Sequence, residues 1–252
     1  TYMQTVLGPA VISYFEGALR VKHPLTSKLK LSNTVCGIST STALRNGVSA
    51  DYVVMFQSTS DTKGSWVAES YSCSLSSATK RPLVGKTNLN RALFKNPGSD
   101  ILLHEKNIYL VLHEMTHSLG FSSSLYKYYL TPTGKVRTGH ILTRSTALGN
   151  AQVLNVEPLT TRIRNFFGCS TIAGAYMENT GSAATAGSHF ERRMYPFEAM
   201  TSGLIYQMAY SEFTLALLEG TGWYIPDYSY ADPYWFGQGN GCNFLTQKCA
   251  NA

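Results

Sequence analysis

The alternation of apolar and polar positions along this 252-residue chain predicts a few regular elements separated by long polar stretches. From Pro9 to Leu19 apolar residues recur at helical spacing, and proline is tolerated in the first turn of a helix. Three segments rich in β-branched and aromatic residues, bounded by clusters of Gly, Ser and Asp, then predict strands at Asp51–Phe56, Trp66–Ser72 and Pro82–Asn90.

The clearest helix runs from Asn107 to Leu119, and we expect Gly120 to end it in the left-handed conformation. A second helix is predicted from Ile205 to Glu219, whereas residues 121–188 and the tail from 224 onward lack periodicity and are predicted to be irregular. This order predicts an α+β fold in which the central helix lies behind a mixed sheet. The predicted division is an N-terminal lobe, residues 1–120, and a loop-rich C-terminal lobe, residues 121–252.

Composition narrows the range of partners. Charged residues make up 14% of the chain, below the roughly 25% typical of soluble domains, and Tyr, Ser, Thr and Gly replace them, as is common in extracellular proteins. The net charge of +6 is spread without a dense Lys/Arg run, so no nucleic-acid partner is predicted.

No segment approaches the roughly 18 apolar residues of a membrane span. The 5 cysteines show no CxxC pair, which predicts two disulfides and one remaining cysteine in an oxidising compartment.

The chemistry of the chain is concentrated in His113-Glu114-Met115-Thr116-His117. Residues four apart lie on one helix face, so His113 and His117 can direct imidazole nitrogens at one metal ion. Glu114 lies about 100° further around the helix, where it can reach a water beside that ion without sharing the direction of the histidines. The spacing therefore predicts two zinc ligands and one general base.

A catalytic zinc usually takes a third protein ligand, and the spacing does not identify it. If the chain simply reversed after Gly120, position 123 would be suitable, but it is a serine. His104 is expected at the surface, and His140, within a polar stretch, is expected in solvent. Spacing alone does not choose between His140 and His189, and acidic ligands also remain open. The candidates are His23, His104, His140, His189, Glu191 and Glu198.

Residues 113–121, HEMTHSLGF, resemble the zinc helix of leishmanolysin-type surface metalloproteases, a branch of the metzincins. In that family a large insertion precedes a third histidine whose surroundings are similar to Gly187–Arg193. A tight turn carrying a methionine beneath the metal follows, and Glu198-Ala199-Met200 resembles it. Three further segments resemble the family: Arg81–Lys86, Phe167–Thr171 and Trp235–Cys242. Taken together, the similarity covers essentially the whole chain.

The resemblance implies a metzincin-like zinc protease with one Zn²⁺ in a cleft between two lobes. It implies His113, His117 and His189 as ligands, and Glu114 as general base and acid. Met200 is implied as the structural floor of the site. Some metzincins carry a tyrosine two residues after this methionine, but the chain has Ser202 there, so we expect no such tyrosine.

The implied function is that of a zinc-dependent endopeptidase of broad specificity, secreted or at the cell surface, which cleaves proteins and peptides with a metal-activated water. The peptide is expected to lie along an edge strand, Leu83–Leu89. The family-like placement of the cysteines implies disulfides Cys36–Cys73 and Cys169–Cys242, with Cys249 unpaired within the chain. Family members also carry a pro-segment and often a lipid-anchored C-terminal domain. The sequence is therefore expected to be the activated catalytic part of such a protease. Any membrane contact is expected only through a lipid anchor or another region outside this chain.

Two other functions are compatible with the motif. A protease fold could serve as an adhesion or binding module, although such a module has no need for the base Glu114. A zinc hydrolase acting on small molecules or sugars is the weaker alternative.

Overall fold

The computed structural model describes residues 1–146, 149–181, 185–203 and 205–248. The α-helices in these ranges are α1 (Gly8–Ala18), α2 (Thr42–Asn46), α3 (Ile101–Leu119), α4 (Leu159–Phe167), α5 (Glu212–Gly220) and α6 (Gly241–Thr246). The strands are β1 (Leu19–Val21), β2 (Thr34–Val35), β3 (Ile38–Ser39), β4 (Val53–Thr59), β5 (Ala68–Leu75), β6 (Pro82–Asn90), β7 (Ile141–Thr146), β8 (Gly149–Leu154), β9 (Ala175–Tyr176) and β10 (Tyr224–Pro226). The fold is mixed α+β, as the sequence predicts.

A mixed sheet of order β4-β6-β5 supports α3 on one face. Strand β6 is parallel to β4 and antiparallel to β5, so β5 is an outer strand and β6 the central one. Helix α3 packs closely on the sheet. The Tyr52 hydroxyl lies 2.7 Å from Ser118 Oγ, and Ser72 Oγ donates to the Ser118 carbonyl at 2.6 Å. A Cβ at Gly85 would lie 1.9 Å from the Tyr52 hydroxyl, so glycine permits this approach.

Helix α3 begins at Ile101, earlier than the apolar pattern indicates, because the Asp100 side chain caps it by accepting from Leu103 N at 3.0 Å. The expectation that Gly120 is left-handed is wrong. Its φ is 172°, in the extended region, and the helix ends there for a packing reason. A Cβ at this position would lie 3.1 Å from Thr221 Cγ2 beside α5, so the small residue lets the two helix ends come together.

The segment between the two predicted helices is more regular than its sequence suggests. Strands β7, β8 and β9 form an antiparallel sheet in which polar and apolar residues do not alternate regularly, so the sequence gives no clear strand pattern. Helix α4 buries Leu159, Ile163 and Phe167 at spacings of four. Helix α5 is shorter than predicted because Ser211 caps its first turn, accepting from Phe213 N at 3.2 Å. The tail also contains regular structure, namely β10 and α6.

Both predicted disulfides are present. Cys36–Cys73 has a Cα–Cα distance of 5.5 Å and joins the β2–β3 hairpin to β5, and Cys169–Cys242 has a distance of 4.8 Å and joins the end of α4 to α6. Cys249, predicted to be unpaired, lies outside the described residues. Among the helices that the structure describes, none is long and apolar enough to cross a membrane.

Candidate metal centre

Three histidine rings converge in a cleft beside α3. His113 and His117 project from successive turns of the helix, and His189 arrives from the loop that follows β9, 72 positions after His117. Their Nε2 atoms form a nearly equilateral triangle: 3.0 Å from His113 to His117, 3.2 Å from His117 to His189 and 3.2 Å from His189 to His113. Among the described residues, these side chains form the group able to hold a metal ion.

A main-chain carbonyl orients each ring from behind. The Nδ1 atom of His113 donates to the Ala199 carbonyl at 2.7 Å, that of His117 to Phe121 at 2.7 Å and that of His189 to Thr185 at 2.9 Å. A neutral imidazole carries one proton, so donation from Nδ1 leaves each Nε2 with a lone pair. Hydrogen bonds of this kind hold metal-binding histidines in the correct tautomer.

The triangle of nitrogens fits a metal ion. Three lone pairs that face one another at 3.0–3.2 Å repel unless a cation lies among them. The centre of such a triangle lies about 1.8 Å from each corner, slightly less than the ~2.0–2.1 Å of a zinc–nitrogen bond. His113, His117 and His189 would therefore hold a zinc ion through three nitrogen ligands. Three nitrogen ligands with an open position are typical of catalytic zinc sites.

The electrostatics keep the rings neutral. Burial, reinforced by the neighbouring histidine His189, lowers the pKa of His117 to about 3. Burial is also the main reason that the pKa of His113 lies well below its ordinary value and that the pKa of His189 is lowered. Neutral imidazole is the form that binds a metal, so the site is prepared for a cation rather than for protons.

The loop carrying His189 is fastened to the segment that follows α3. The Tyr126 hydroxyl donates to the Gly187 carbonyl at 2.7 Å, and Ser123 N donates to Ser188 Oγ at 3.1 Å. These two hydrogen bonds hold Gly187 and Ser188, the two residues immediately before His189. Ser123 thus occupies the position considered for a ligand, and it serves instead to hold the loop that supplies the third histidine.

His140 is not in solvent, contrary to the sequence-based expectation. It is 5% exposed, its Nε2 donates to the Tyr126 carbonyl at 3.0 Å, and its ring stacks on Tyr129 with centroids 5.8 Å apart. The polar character of the segment did not predict this burial, in which the ring makes one hydrogen bond and stacks on Tyr129. His140 therefore supports Tyr126 and lies outside the histidine triangle.

The turn Glu198-Ala199-Met200 closes the site from the side of α5. Ala199 supplies the carbonyl for His113, and the Met200 side chain is fully buried. Burial raises the pKa of the Glu198 carboxyl to about 7, against hydrogen bonds from Thr214, the Met200 amide and Ser211. Glu198, considered as a metal ligand, thus fastens the turn to the start of α5.

The remaining candidates lie apart from the triangle. His104 is half-buried, with Nδ1 2.7 Å from the Tyr2 hydroxyl, and His23 is exposed. The Glu191 carboxylate accepts from Arg193 N at 3.4 Å, and Ser202, at the position where some metzincins carry tyrosine, donates to Glu178 at 3.3 Å. Sequence reasoning missed Tyr126 and the carbonyl of Ala199. A carbonyl is common to every residue and gives no sequence signal.

Glu114 lies on the cleft floor. It is 6% exposed, and burial, followed by the nearby Glu69 carboxylate, raises its pKa to about 8. The cleft has a volume of about 810 Å³ and is bordered by β5 at residues 68–71, by the three histidines and by Thr201–Gly203. The expectation that Leu83–Leu89 forms the substrate-binding edge is wrong, because β6 is paired on both sides. The strand at the cleft is β5, whose outer side is free of pairing within the described residues.

The paired histidines on a helix, the mixed sheet and the methionine-bearing turn are consistent with a metzincin-like fold. The family model described as Leishmanolysin matches residues 2–252, and the chain belongs to the leishmanolysin family of zinc metalloproteases. It is 26% identical to a leishmanolysin-like peptidase of Caenorhabditis elegans over 98% of the chain and 49% of that protein. It is 29% identical to a leishmanolysin-like peptidase of Drosophila melanogaster, over 85% and 36%, and 29% identical to leishmanolysin of Leishmania donovani, over 82% and 33%. The chain spans half or less of the length of these relatives.

Proposed function

We propose that this chain is a zinc-dependent endopeptidase in which His113, His117 and His189 hold one Zn²⁺ and Glu114 is the general base. One observation carries the proposal: three unprotonated Nε2 atoms converge at 3.0–3.2 Å on the cleft that also contains Glu114. Three nitrogen lone pairs that face one another can bind a cation, and the carboxylate of Glu114, one residue after the ligand His113, can transfer protons.

When bound, the zinc ion supplies Lewis acidity, which polarises the scissile carbonyl and acidifies water. Glu114 accepts a proton from the attacking water and passes it to the nitrogen of the leaving amine. The three Nδ1–H donors keep the rings fixed while charge develops in the cleft. The fully buried Met200 is the proposed structural floor of the site.

The outer strand β5 is the proposed peptide-binding edge. Its free main-chain groups can pair with an extended substrate, and main-chain hydrogen bonds do not depend on the substrate's sequence. This supports broad specificity towards proteins and peptides. The two disulfides support an oxidising compartment, hence a secreted or cell-surface location. Any membrane contact is proposed to use a lipid anchor or region outside this chain.

The test is cleavage of casein and of terminally blocked peptides, with mass spectrometry of the products. Internal cuts that a chelator abolishes and added zinc restores are expected. Glu114→Gln is the matched control for a contaminating protease, since it should bind the same peptides without cutting them. Binding without cleavage by the unaltered chain would instead indicate an adhesion module on the same fold. Hydrolysis of small esters or sugars alone would indicate the hydrolase alternative.

A further inference from the structure

Two of the three histidines depend on main-chain atoms of the methionine-bearing turn. The Ala199 carbonyl accepts from His113 Nδ1 at 2.7 Å. The next carbonyl, that of Met200, accepts from Phe190 N at 2.9 Å, and Phe190 directly follows His189 in the chain. The shape of this turn therefore sets the position of one ring on α3 and of the loop that carries the third ring.

A single buried carboxylate holds the turn in place. Glu198 is fully buried, and its Oε2 atom accepts from Met200 N. Its Oε1 atom accepts from Thr214 Oγ1 at 2.5 Å, from Ser211 Oγ at 3.0 Å and from Ser211 N at 3.3 Å. The carboxylate thus connects the turn to the first residues of α5, at the helix end that favours a negative charge.

The four hydrogen-bond partners of Glu198 match an ionised carboxylate. All of them donate, and each carboxylate oxygen faces at least one main-chain N–H, from Met200 or from Ser211. A main-chain N–H cannot act as an acceptor. A proton on either oxygen, or the NH₂ group of a glutamine, therefore weakens the connection to the turn or to α5.

The surroundings of Glu198 supply no balancing positive charge. Within the part of the chain that the structure describes, it forms no ion pair. Its charge acts on the hydroxyls of four buried or half-buried tyrosines, Tyr14, Tyr195, Tyr210 and Tyr234. Burial is the main reason that the pKa of each tyrosine is raised, so these hydroxyls stay neutral. Burial also raises the pKa of Glu198 to about 7, against the effect of its hydrogen bonds.

We propose that Glu198 is a positioning residue of the metal centre. Its ionised carboxylate holds the turn in the shape that presents one carbonyl to His113 and the next carbonyl to the main chain beside His189. Glu198 acts through these main-chain atoms and is not itself a ligand. The inference rests on the proposed zinc site, and it adds that α5 is coupled to this site through one carboxylate. Neutralising the carboxylate should weaken zinc binding although every ligand remains.

The zinc affinity of the metal-free, disulfide-bonded chain measures this role, by competition with a chromophoric chelator. Glu198→Gln keeps the size of the side chain and an acceptor for α5, but it loses the charge and the acceptor for Met200 N. We expect zinc to bind about tenfold more weakly at about pH 8.5, the lower end of what lost ligand-orienting contacts cost. Thr214→Val removes one donor to the carboxylate and should weaken zinc binding less, which tests the proposal even if Glu198→Gln does not fold.

The pH dependence separates positioning from a general loss of structure. Protonation of the histidines weakens zinc binding in the unaltered chain and in Glu198→Gln alike, so the ratio of the two affinities isolates Glu198. This ratio should be near one at about pH 5.5, where the carboxyl is protonated, and should reach about tenfold at about pH 8.5.

The stability of the metal-free protein should follow the opposite trend. A carboxyl whose pKa is raised in the folded state contributes stability at low pH, and this contribution is lost as the pH rises through the raised pKa, about 7 for Glu198. The thermal unfolding midpoint of the unaltered chain should therefore fall relative to that of Glu198→Gln over the same pH range. A role in stability alone would not give zinc affinity and stability opposite pH trends.

Asp232→Asn is the matched control. Asp232 Oδ2 also accepts from a main-chain amide and from a hydroxyl, those of Tyr210 and Tyr109, each at 2.8 Å, but neither partner belongs to the turn. This variant should leave the zinc affinity unchanged. Equal zinc affinities of the unaltered chain and Glu198→Gln at about pH 8.5, a ratio that does not change with pH, or an equal loss in Asp232→Asn would overturn the proposal. If the unaltered chain itself binds no zinc, the proposed function fails and this inference fails with it.

Discussion

At the scale of single residues, the candidate metal site is organised by main-chain atoms as much as by side chains. The main-chain carbonyls of Phe121, Ala199 and Thr185 fix the three rings. Because every residue has a main-chain carbonyl, the side chains at these three positions can change without loss of the acceptors. Glu114 differs, because its carboxylate has no hydrogen-bond partner among the described residues and is held in the cleft by burial. Its replacement should therefore alter chemistry more than structure.

Glu114→Gln is expected to keep the normal zinc content and to lose turnover. The carboxylate is not one of the converging ligands, and glutamine retains the shape but cannot accept a proton. General acid–base catalysis contributes roughly 10²–10⁴ in rate, and the loss should reach this range or exceed it because one residue serves both proton transfers. Metal analysis and steady-state kinetics on one preparation measure the zinc content and the turnover rate of the variant. A sizeable residual rate would contradict the proposed base, and loss of zinc would make Glu114 a part of the metal site.

His189→Ala and His140→Ala form a matched pair that tests the third ligand. His189→Ala should lose most zinc and all activity. His140→Ala should retain zinc while its midpoint of thermal unfolding falls, because the substitution leaves a buried cavity and removes the hydrogen bond to the Tyr126 carbonyl, together about 1–3 kcal/mol. Metal analysis and thermal melts separate the two roles. Full zinc content in folded His189→Ala protein would refute the ligand set.

Much of the residue-level chemistry could be predicted from the sequence because it depends on helix periodicity. His113, Glu114 and His117 lie within one turn, so their relative directions follow from the helix alone. The third histidine depends on a chain path of 72 positions, which spacing does not determine, and only the similarity to a known family singled it out. His140 was misjudged because its polar neighbours say nothing about stacking on Tyr129.

At the scale of elements, long and strongly patterned segments were predicted well and short ones poorly. Strand β6 has the predicted bounds, and α3 differs only at its capped start. The pairing order of the sheet is a non-local property, so the sequence assigned the edge to Leu83–Leu89 although the unpaired strand is β5. In the second half, β7 to β9 are stabilised by pairing with one another, and their polar and apolar residues do not alternate regularly enough to predict strands.

The segment after α3 and the loop bearing His189 act as one element, and Tyr126→Phe tests this. The substitution removes only the hydroxyl that donates to Gly187, with the ring still packed against Tyr129. We expect zinc affinity to fall about threefold to tenfold, in line with one lost buried hydrogen bond. Competition with a chromophoric chelator measures the affinity. Tyr128→Phe, at a ring outside this contact, is the control, and equal affinity in both variants would show that the loop holds its position without Tyr126.

At the scale of the whole molecule, the two halves of the chain share the larger hydrophobic cluster, while a smaller one, around Leu31 and Val84, lies within the first half. A single cluster of buried side chains includes Val11 and Phe15 of α1, Met115 of α3, and Phe213 and Trp223 of the second half. Strand β1, near the N-terminus, pairs with β10, near the C-terminus. The predicted division into lobes at residue 120 stays a prediction about the walls of the cleft. The shared core argues that neither part folds separately, because each exposes apolar surface that the other covers.

The intact, disulfide-bonded chain is therefore expected to unfold in one cooperative transition, and residues 1–120 alone are expected not to fold. In the fragment, β1 lacks its partner and α1 and α3 lack the α5 side of the core, although Cys36–Cys73 remains possible. Calorimetry checks the first part, by agreement of the calorimetric and van't Hoff enthalpies, and NMR dispersion of the fragment checks the second. Zinc should raise the midpoint of the same single transition, because its proposed ligands come from both sides of residue 120. Two transitions of which zinc moves only one, or a well-dispersed fragment spectrum, would mean that the N-terminal part has a core of its own.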